Sequence, residues 1–114
     1  MVKRKTPLES AFQDKVIAYI KSRGGYEIKI HVSSYQLEGE PDIVCCYRGW
    51  FCAFELKQGS VLSELQKIKL QLIRESGGIA LEVRSLSQIE EVFDMIDSIM
   101  EETDVKIQWF WKVI

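Results

Sequence analysis

Histidine is nearly absent from this 114-residue chain: His31 is the only one. A histidine-rich metal site is therefore excluded. Cysteine is scarce too. Cys45, Cys46 and Cys52 are odd in number and lack zinc-ligand spacing, so neither a disulfide framework nor a zinc cluster is expected. Free thiols buried in a reducing cytosol are the plain reading. No apolar run reaches the ~18 residues of a membrane-spanning helix. The basic start MVKRKTPLES leads into a polar helix and not an apolar one, so no secretory signal is expected. No internal repeat or low-complexity segment occurs, and neither charge sign dominates, the net charge being -2.

What is present suits one compact domain over 1–114. Val, Ile, Leu and Phe make up 36 residues, enough for a real core. Charge is unevenly placed. Residues 1–31 carry seven Lys/Arg against three acids, whereas Glu90 to Asp104 carry seven acids and no base. One end can face phosphate while another repels it.

Thr6-Pro7-Leu8-Glu9 reads as a helix start, with a cap, proline at N1 and an acid at N3. Leu8, Phe12, Val16 and Ile20 recur along one stripe, and Gly24-Gly25 ends the helix. Tyr26, Ile28 and Ile30 alternate with Glu27, Lys29 and His31 as a strand that Val32 closes. Two apolar runs follow, Ile43 to Tyr47 and Trp50 to Leu56, with Arg48-Gly49 as a two-residue hairpin turn. Residues 61–75 predict a helix with Leu62, Leu65, Ile68, Leu72 and Ile73 inward. Ile79 to Val83 is a strand. Ser85 or Ser87 caps a helix with Ile89, Val92, Phe93, Ile96, Ile99 and Met100 on its inner face. Val105, Ile107, Trp109, Trp111 and Val113 alternate as a final aromatic strand, either packed on its own domain or buried in a homodimer contact. The expected class is α/β, a mixed sheet flanked by helices in the order α-β-β-β-α-β-α-β.

The hairpin turn has a chemical consequence. If Arg48-Gly49 is the loop, Tyr47 pairs with Trp50 and Asp42 falls opposite Glu55. Side chains alternate along a strand, so Lys57 shares the face of Glu55. Two carboxylates and an amine then meet at one end of an apolar hairpin. They can form an ordinary cross-strand ion contact. They can also hold a hard divalent cation, with Lys57 orienting a water for phosphodiester hydrolysis. Glu9 is either the N3 acid of its helix or a third carboxylate. Gln66, three residues after Ser63, is either an N3 cap partner or a donor to a phosphate or water.

The ordered set Gly39-Glu40-Pro41-Asp42-Ile43, Phe54-Glu55-Leu56-Lys57 and Gln66 resembles the PD-(D/E)XK nuclease superfamily, and more closely its VRR-NUC family. The resemblance spans roughly residues 8–86; the acidic helix and aromatic strand of 87–114 lie outside it. It implies a restriction-endonuclease-like fold and a Mg²⁺- or Mn²⁺-dependent endonuclease. Asp42 and Glu55 match the family's metal-binding acids, and the Leu56 carbonyl its extra ligand. Lys57 matches the catalytic lysine, Glu9 the helix-one acid and Gln66 the downstream glutamine. The implied partner is branched DNA, cut as a four-way junction by a homodimer in a bacterial or phage-infected cytoplasm. No membrane or nucleotide cofactor is implied. A less selective flap or nick nuclease and a non-catalytic DNA-binding module are the alternatives. Lys3, Arg4, Lys5, Lys15, Lys29 and His31 are the candidate phosphate contacts. The chain is more acidic than junction resolvases usually are.

Overall fold

The computed structural model describes residues 7–30, 39–101 and 111–112. The element order is α1 (Pro7–Ser22), β1 (Tyr26–Lys29), β2 (Ile43–Tyr47), β3 (Trp50–Leu56), α2 (Glu64–Glu75), β4 (Ile79–Val83) and α3 (Leu86–Met100). The strands form one sheet in the order β1-β2-β3-β4. The first two pairings are antiparallel and β3 pairs with β4 in parallel, α2 making the crossover. This is the expected mixed α/β sheet flanked by helices. The final strand is a correction: Trp111 and Lys112 are helical, and the rest of that stretch lies outside the described residues. Thr6 and Val32, named above as a cap and a strand end, also lie outside them. Among the described residues no helix is long and apolar enough to cross a membrane.

Strand alternation assigns the two sheet faces. Ile43, Cys45, Tyr47, Cys52, Phe54, Leu56 and Val83 point to one side and pack with Val16 and Ile20 of α1 and Ile89, Phe93, Ile96 and Met100 of α3. Ala53 and Ala80 point to the other side, where Leu70, Leu62 and Ile73 of the α2 region cover them. Small residues under α2 let that helix sit close to the sheet. The same alternation corrects the cysteine expectation. Cys45 and Cys52 pair across the hairpin and are buried, but Cys46 points the other way and is exposed. Contact with Cys52, together with burial, pushes the Cys45 thiol well above the ordinary range.

Helix faces were only partly legible. In α1, Val16 and Ile20 are buried as expected, but Leu8 is exposed and Gln13 takes a core position. In α2 the buried residue is Leu70, while Leu65, Ile68 and Leu72 are exposed. Ile99 of α3 is likewise half exposed.

The β2–β3 turn sets the site's register. Arg48 (φ 49) and Gly49 (φ 88) both take positive φ, as a type I′ turn demands. Asn or Asp is commoner at the first position. Here Arg48 is anchored instead, its guanidinium donating to Asp97 Oδ1 at 3.1 Å. Asp97 also accepts from Tyr47 at 2.7 Å and from Arg23 at 2.9 Å, and Arg23 reaches Asp94 at 2.9 Å. Tyr47 stacks on Phe93 with centroids 3.9 Å apart, and Arg23 lies over both rings. This network ties α1, the hairpin and α3 together. The hydrogen bond from Tyr47, with those from Arg48 and Arg23, holds the Asp97 carboxyl below the usual carboxylate range.

Candidate active site

The site lies at the end of the sheet opposite that turn. Tyr47 pairs with Trp50 and Ile43 with Phe54. One residue further on, Asp42 falls opposite Glu55, both on the α2 side of the sheet. Backbone bonds fix the two strand ends. Ile30 N donates to Asp42 O at 2.8 Å, and Lys57 N donates to Val83 O at 3.0 Å. The Asp42 side chain is oriented as well: its Oδ2 accepts from Leu56 N at 2.8 Å. Pro41 is buried just before it and presets the chain's entry into β2.

Glu55 is 3% exposed, a buried carboxylate in an otherwise apolar strand. Such a charge needs partners. Lys57 supplies one, its Nζ 3.7 Å from Glu55 Oε1. Gln66 supplies another, its Nε2 donating to the same oxygen at 3.0 Å. The capping reading of Gln66 is realised, and its side-chain amide is turned to Glu55 as well. Its Oε1 accepts from Ser63 N at 2.9 Å while its own N–H donates to Ser63 Oγ at 3.1 Å, completing the capping box of α2. One amide thus starts the helix with its oxygen and holds the buried carboxylate with its nitrogen.

Glu9 stands half-buried in the first turn of α1. Among the described residues no group of three or more His, Cys, Asp or Glu side chains could hold a metal ion. Lys15 and Lys29 are exposed, and Lys3, Arg4, Lys5 and His31 lie outside the described residues.

Two neighbours escaped sequence reasoning. Lys69, one turn beyond Gln66 on α2, pairs with Glu40 at 3.1 Å and so places a cation beside the Pro41-Asp42 turn. Its i+3 spacing from Gln66 was the available signal. Glu82 lies beside Glu55 in the parallel β3–β4 register and pairs with Arg84. No local pattern reveals a neighbour that only sheet topology creates.

Gly39 fits the α2 start against this turn. Its φ is +83, and a Cβ there would lie 2.6 Å from Leu65 Cγ, next to Gln66. Gly39→Ala should therefore cost roughly 1–3 kcal/mol, by overpacking and by left-handed backbone strain. Urea denaturation measures this. An unchanged midpoint would mean that Leu65 moves aside freely.

The donor set fits a hard divalent cation of the magnesium type. Such an ion is often held by one or two carboxylates and completes its shell with water and substrate oxygens. Asp42 and Glu55 supply two carboxylates at one strand end, and the lysine beside them suits an anionic substrate.

No family model matches the sequence, and no curated protein does. Solved structures share the fold, among them the following two. A protein described as a VRR_NUC domain superposes with a TM-score of 0.58 at 22% identity, covering 82% of this chain and 95% of that one. Hjc of Archaeoglobus fulgidus, a Holliday junction resolvase, superposes with a TM-score of 0.51 at 20% identity, over 64% of each chain. At these identities the likeness is one of fold: the chain has a mixed-sheet α/β fold of the kind seen in a VRR_NUC domain and an archaeal junction resolvase.

Proposed function

We propose that the chain is a single-domain, metal-dependent DNA endonuclease that hydrolyses phosphodiesters at branched structures, four-way junctions first among them, as a homodimer. The observation that carries this reading is the meeting of Asp42, Glu55, Lys57 and Gln66 at one sheet end, in a fold shared with a junction resolvase.

Asp42 and Glu55 would hold Mg²⁺ or Mn²⁺, with the Leu56 carbonyl as a further oxygen. The bound cation would polarise a phosphoryl oxygen and make a water nucleophilic at neutral pH. The protein's part is to preorganise. The bond from Leu56 N aims the Asp42 carboxylate, and Gln66 and Lys57 fix Glu55. The Lys57 ammonium orients the attacking water and meets charge growing on the phosphate. DNA is held through its backbone and read by shape. Lys15 and Lys29, with Lys3, Arg4, Lys5 and His31, are the proposed phosphate contacts. Two sites related by a dimer axis would cut opposing strands, which distinguishes resolution from nicking.

The test is incubation of the purified protein with labelled four-way junction, flap, nicked and linear duplex, with Mg²⁺ or Mn²⁺ or with chelator. Metal-dependent paired cuts in the junction are expected. Cleavage confined to flaps or nicks would select the less selective nuclease. Binding of junction without any cleavage would select the non-catalytic module.

Gln66 offers a sharper check. Gln66→Glu keeps an oxygen for the α2 cap, and its stability loss at neutral pH, roughly 1–3 kcal/mol, should shrink as pH falls and one carboxyl takes a proton. It also sets a carboxylate against Glu55, where like charges resist ionising together. Cleavage should fall by at least about tenfold at neutral pH, and its acid limb should move to higher pH. An unshifted pH profile would remove Gln66 from the site's electrostatics.

A further inference from the structure

A second ion pair stands beside the candidate site, and the proposed chemistry leaves it unused. Glu55 of β3 and Glu82 of β4 are neighbours in the parallel register, their backbones about 4.8 Å apart. Side chains alternate, so Lys57 and Arg84 each follow on the same α2 side of the sheet, just beyond the acids. Lys57 turns back to Glu55, and Arg84 turns back to Glu82. The two pairs differ in exposure. The Lys57 side chain is 12% exposed and lies within the site, whereas that of Arg84 is 45% exposed and stands at its mouth. Arg84 is held in place all the same. Its backbone N–H donates to Gln88 Oε1 at 2.6 Å, and its carbonyl accepts from Gln58 Nε2 at 3.0 Å. Its Nη2 donates to Ser60 O at 2.6 Å, on the loop between Lys57 and α2. Among the described residues Nε and Nη1 form no hydrogen bond or ion pair. The guanidinium is thus fixed through one nitrogen and keeps the N–H groups of the other two to donate. An exposed ion pair stabilises a fold little, so stability alone does not account for so much support.

We propose that Arg84 binds the backbone phosphate next to the one that is cleaved, so that the cut strand crosses the ends of β3 and β4. The proposal rests on the nuclease reading above. A planar fork of N–H groups suits a phosphate gripped by two oxygens, while the compact ammonium of Lys57 suits the attacked centre. Glu82 keeps the guanidinium oriented in the free protein, as a carboxylate standing where the phosphate will come. The donors that Glu82 and Ser60 leave open then meet the incoming anion. Arg84 extends the contact surface to the β4 side of the acids, opposite the β1 side that carries Lys29.

Gel shift of a four-way junction in calcium, repeated across salt concentrations, tests the contact. Arg84→Gln should weaken binding about tenfold and flatten the slope of log K against log salt by about one unit. Lys21→Gln removes the charge of an exposed lysine that pairs with Glu27 of β1, away from the acids, and should leave the slope unchanged. Arg84→Lys should keep the slope and recover part of the affinity, since the charge stays while the fork is lost. Mn²⁺ affinity should stay within about threefold of wild type in both Arg84 variants, because Arg84 pairs with Glu82 and not with the proposed metal ligands. A neutral methylphosphonate set at each phosphate beside the cut in turn should weaken the wild type at one position, and Arg84→Gln should be indifferent there. Wild-type affinity and slope in Arg84→Gln, with the junction still bound and cut by the wild type, would remove Arg84 from the interface and leave the nuclease reading standing. Slower cutting by Arg84→Gln with an unchanged slope would make the residue a strap for the loop after Lys57 and overturn the proposal. If Arg84→Gln does not fold, phenylglyoxal on the wild type decides: junction DNA should block modification of Arg84, and equal modification with and without DNA would overturn the contact. A wild type that binds no junction would overturn both readings.

Discussion

Lys57→Ala should still bind a four-way junction but cut it roughly 10²–10⁴-fold more slowly, the range lost when a positioned proton-handling side chain is removed. Three features set this expectation. The Lys57 backbone is fixed by its bond to Val83, so its side chain emerges on the face of Glu55. The ammonium lies 3.7 Å from the Glu55 carboxylate. The side chain is largely shielded from water, where a charge acts more strongly. Lys57→Arg should recover little, because a planar fork does not replace a compact ammonium. Binding is measured by gel shift in calcium or chelator, cleavage in Mg²⁺ or Mn²⁺. Cleavage by Lys57→Ala at the wild-type rate would reduce the lysine to a partner for Glu55.

The second large effect is on stability. Arg23→Ala should destabilise the fold by about 2–3 kcal/mol, below the loss expected for a fully buried pair because Arg23 is partly exposed. The change removes bonds to Asp94 and Asp97 and the cation over Tyr47 and Phe93. Arg23→Lys should rescue only a fraction, since one ammonium cannot serve both acids and the rings. A pH dependence follows. Asp97 has a depressed folded pKa, so its contribution is present above the unfolded carboxyl pKa and is lost as pH falls through the folded value. Wild-type stability should therefore drop in the acid range, and the drop should shrink in Arg23→Ala. Tyr47 runs the other way: burial raises its pKa, so stability falls as pH rises past the ordinary tyrosine range. Urea melts across pH measure both limbs. An Arg23→Ala protein with the wild-type midpoint would contradict the network's assigned role.

The site was more legible in the sequence than the packing around it. Arg48-Gly49 fixed one register, and the identity of the residue facing Asp42 followed from counting. Period-2 alternation then assigned Lys57 to the face of Glu55. Helix α2 was harder. Its apolar residues cover more than the arc that a sheet contact needs, so periodicity could not separate the buried Leu70 from the exposed Leu65, Ile68 and Leu72. The Arg23 network was invisible because Asp94 and Asp97 lie 71 and 74 residues away. Read locally, those acids were part of a solvated acidic run. Glu82 was missed because only the parallel β3–β4 pairing sets it beside Glu55. Alternation misled at the C-terminus, where Trp111 and Lys112 are helical despite strand-like neighbours.

The central claim is that Asp42 and Glu55 together hold one divalent cation. Mn²⁺ binding followed by electron paramagnetic resonance tests it without reference to any substrate. One ion per chain should bind the wild type, and Asp42→Asn should weaken binding by at least about tenfold while keeping an oxygen for Leu56 N. Equal Mn²⁺ affinity in wild type and Asp42→Asn, or no bound ion at millimolar Mn²⁺, would contradict the account.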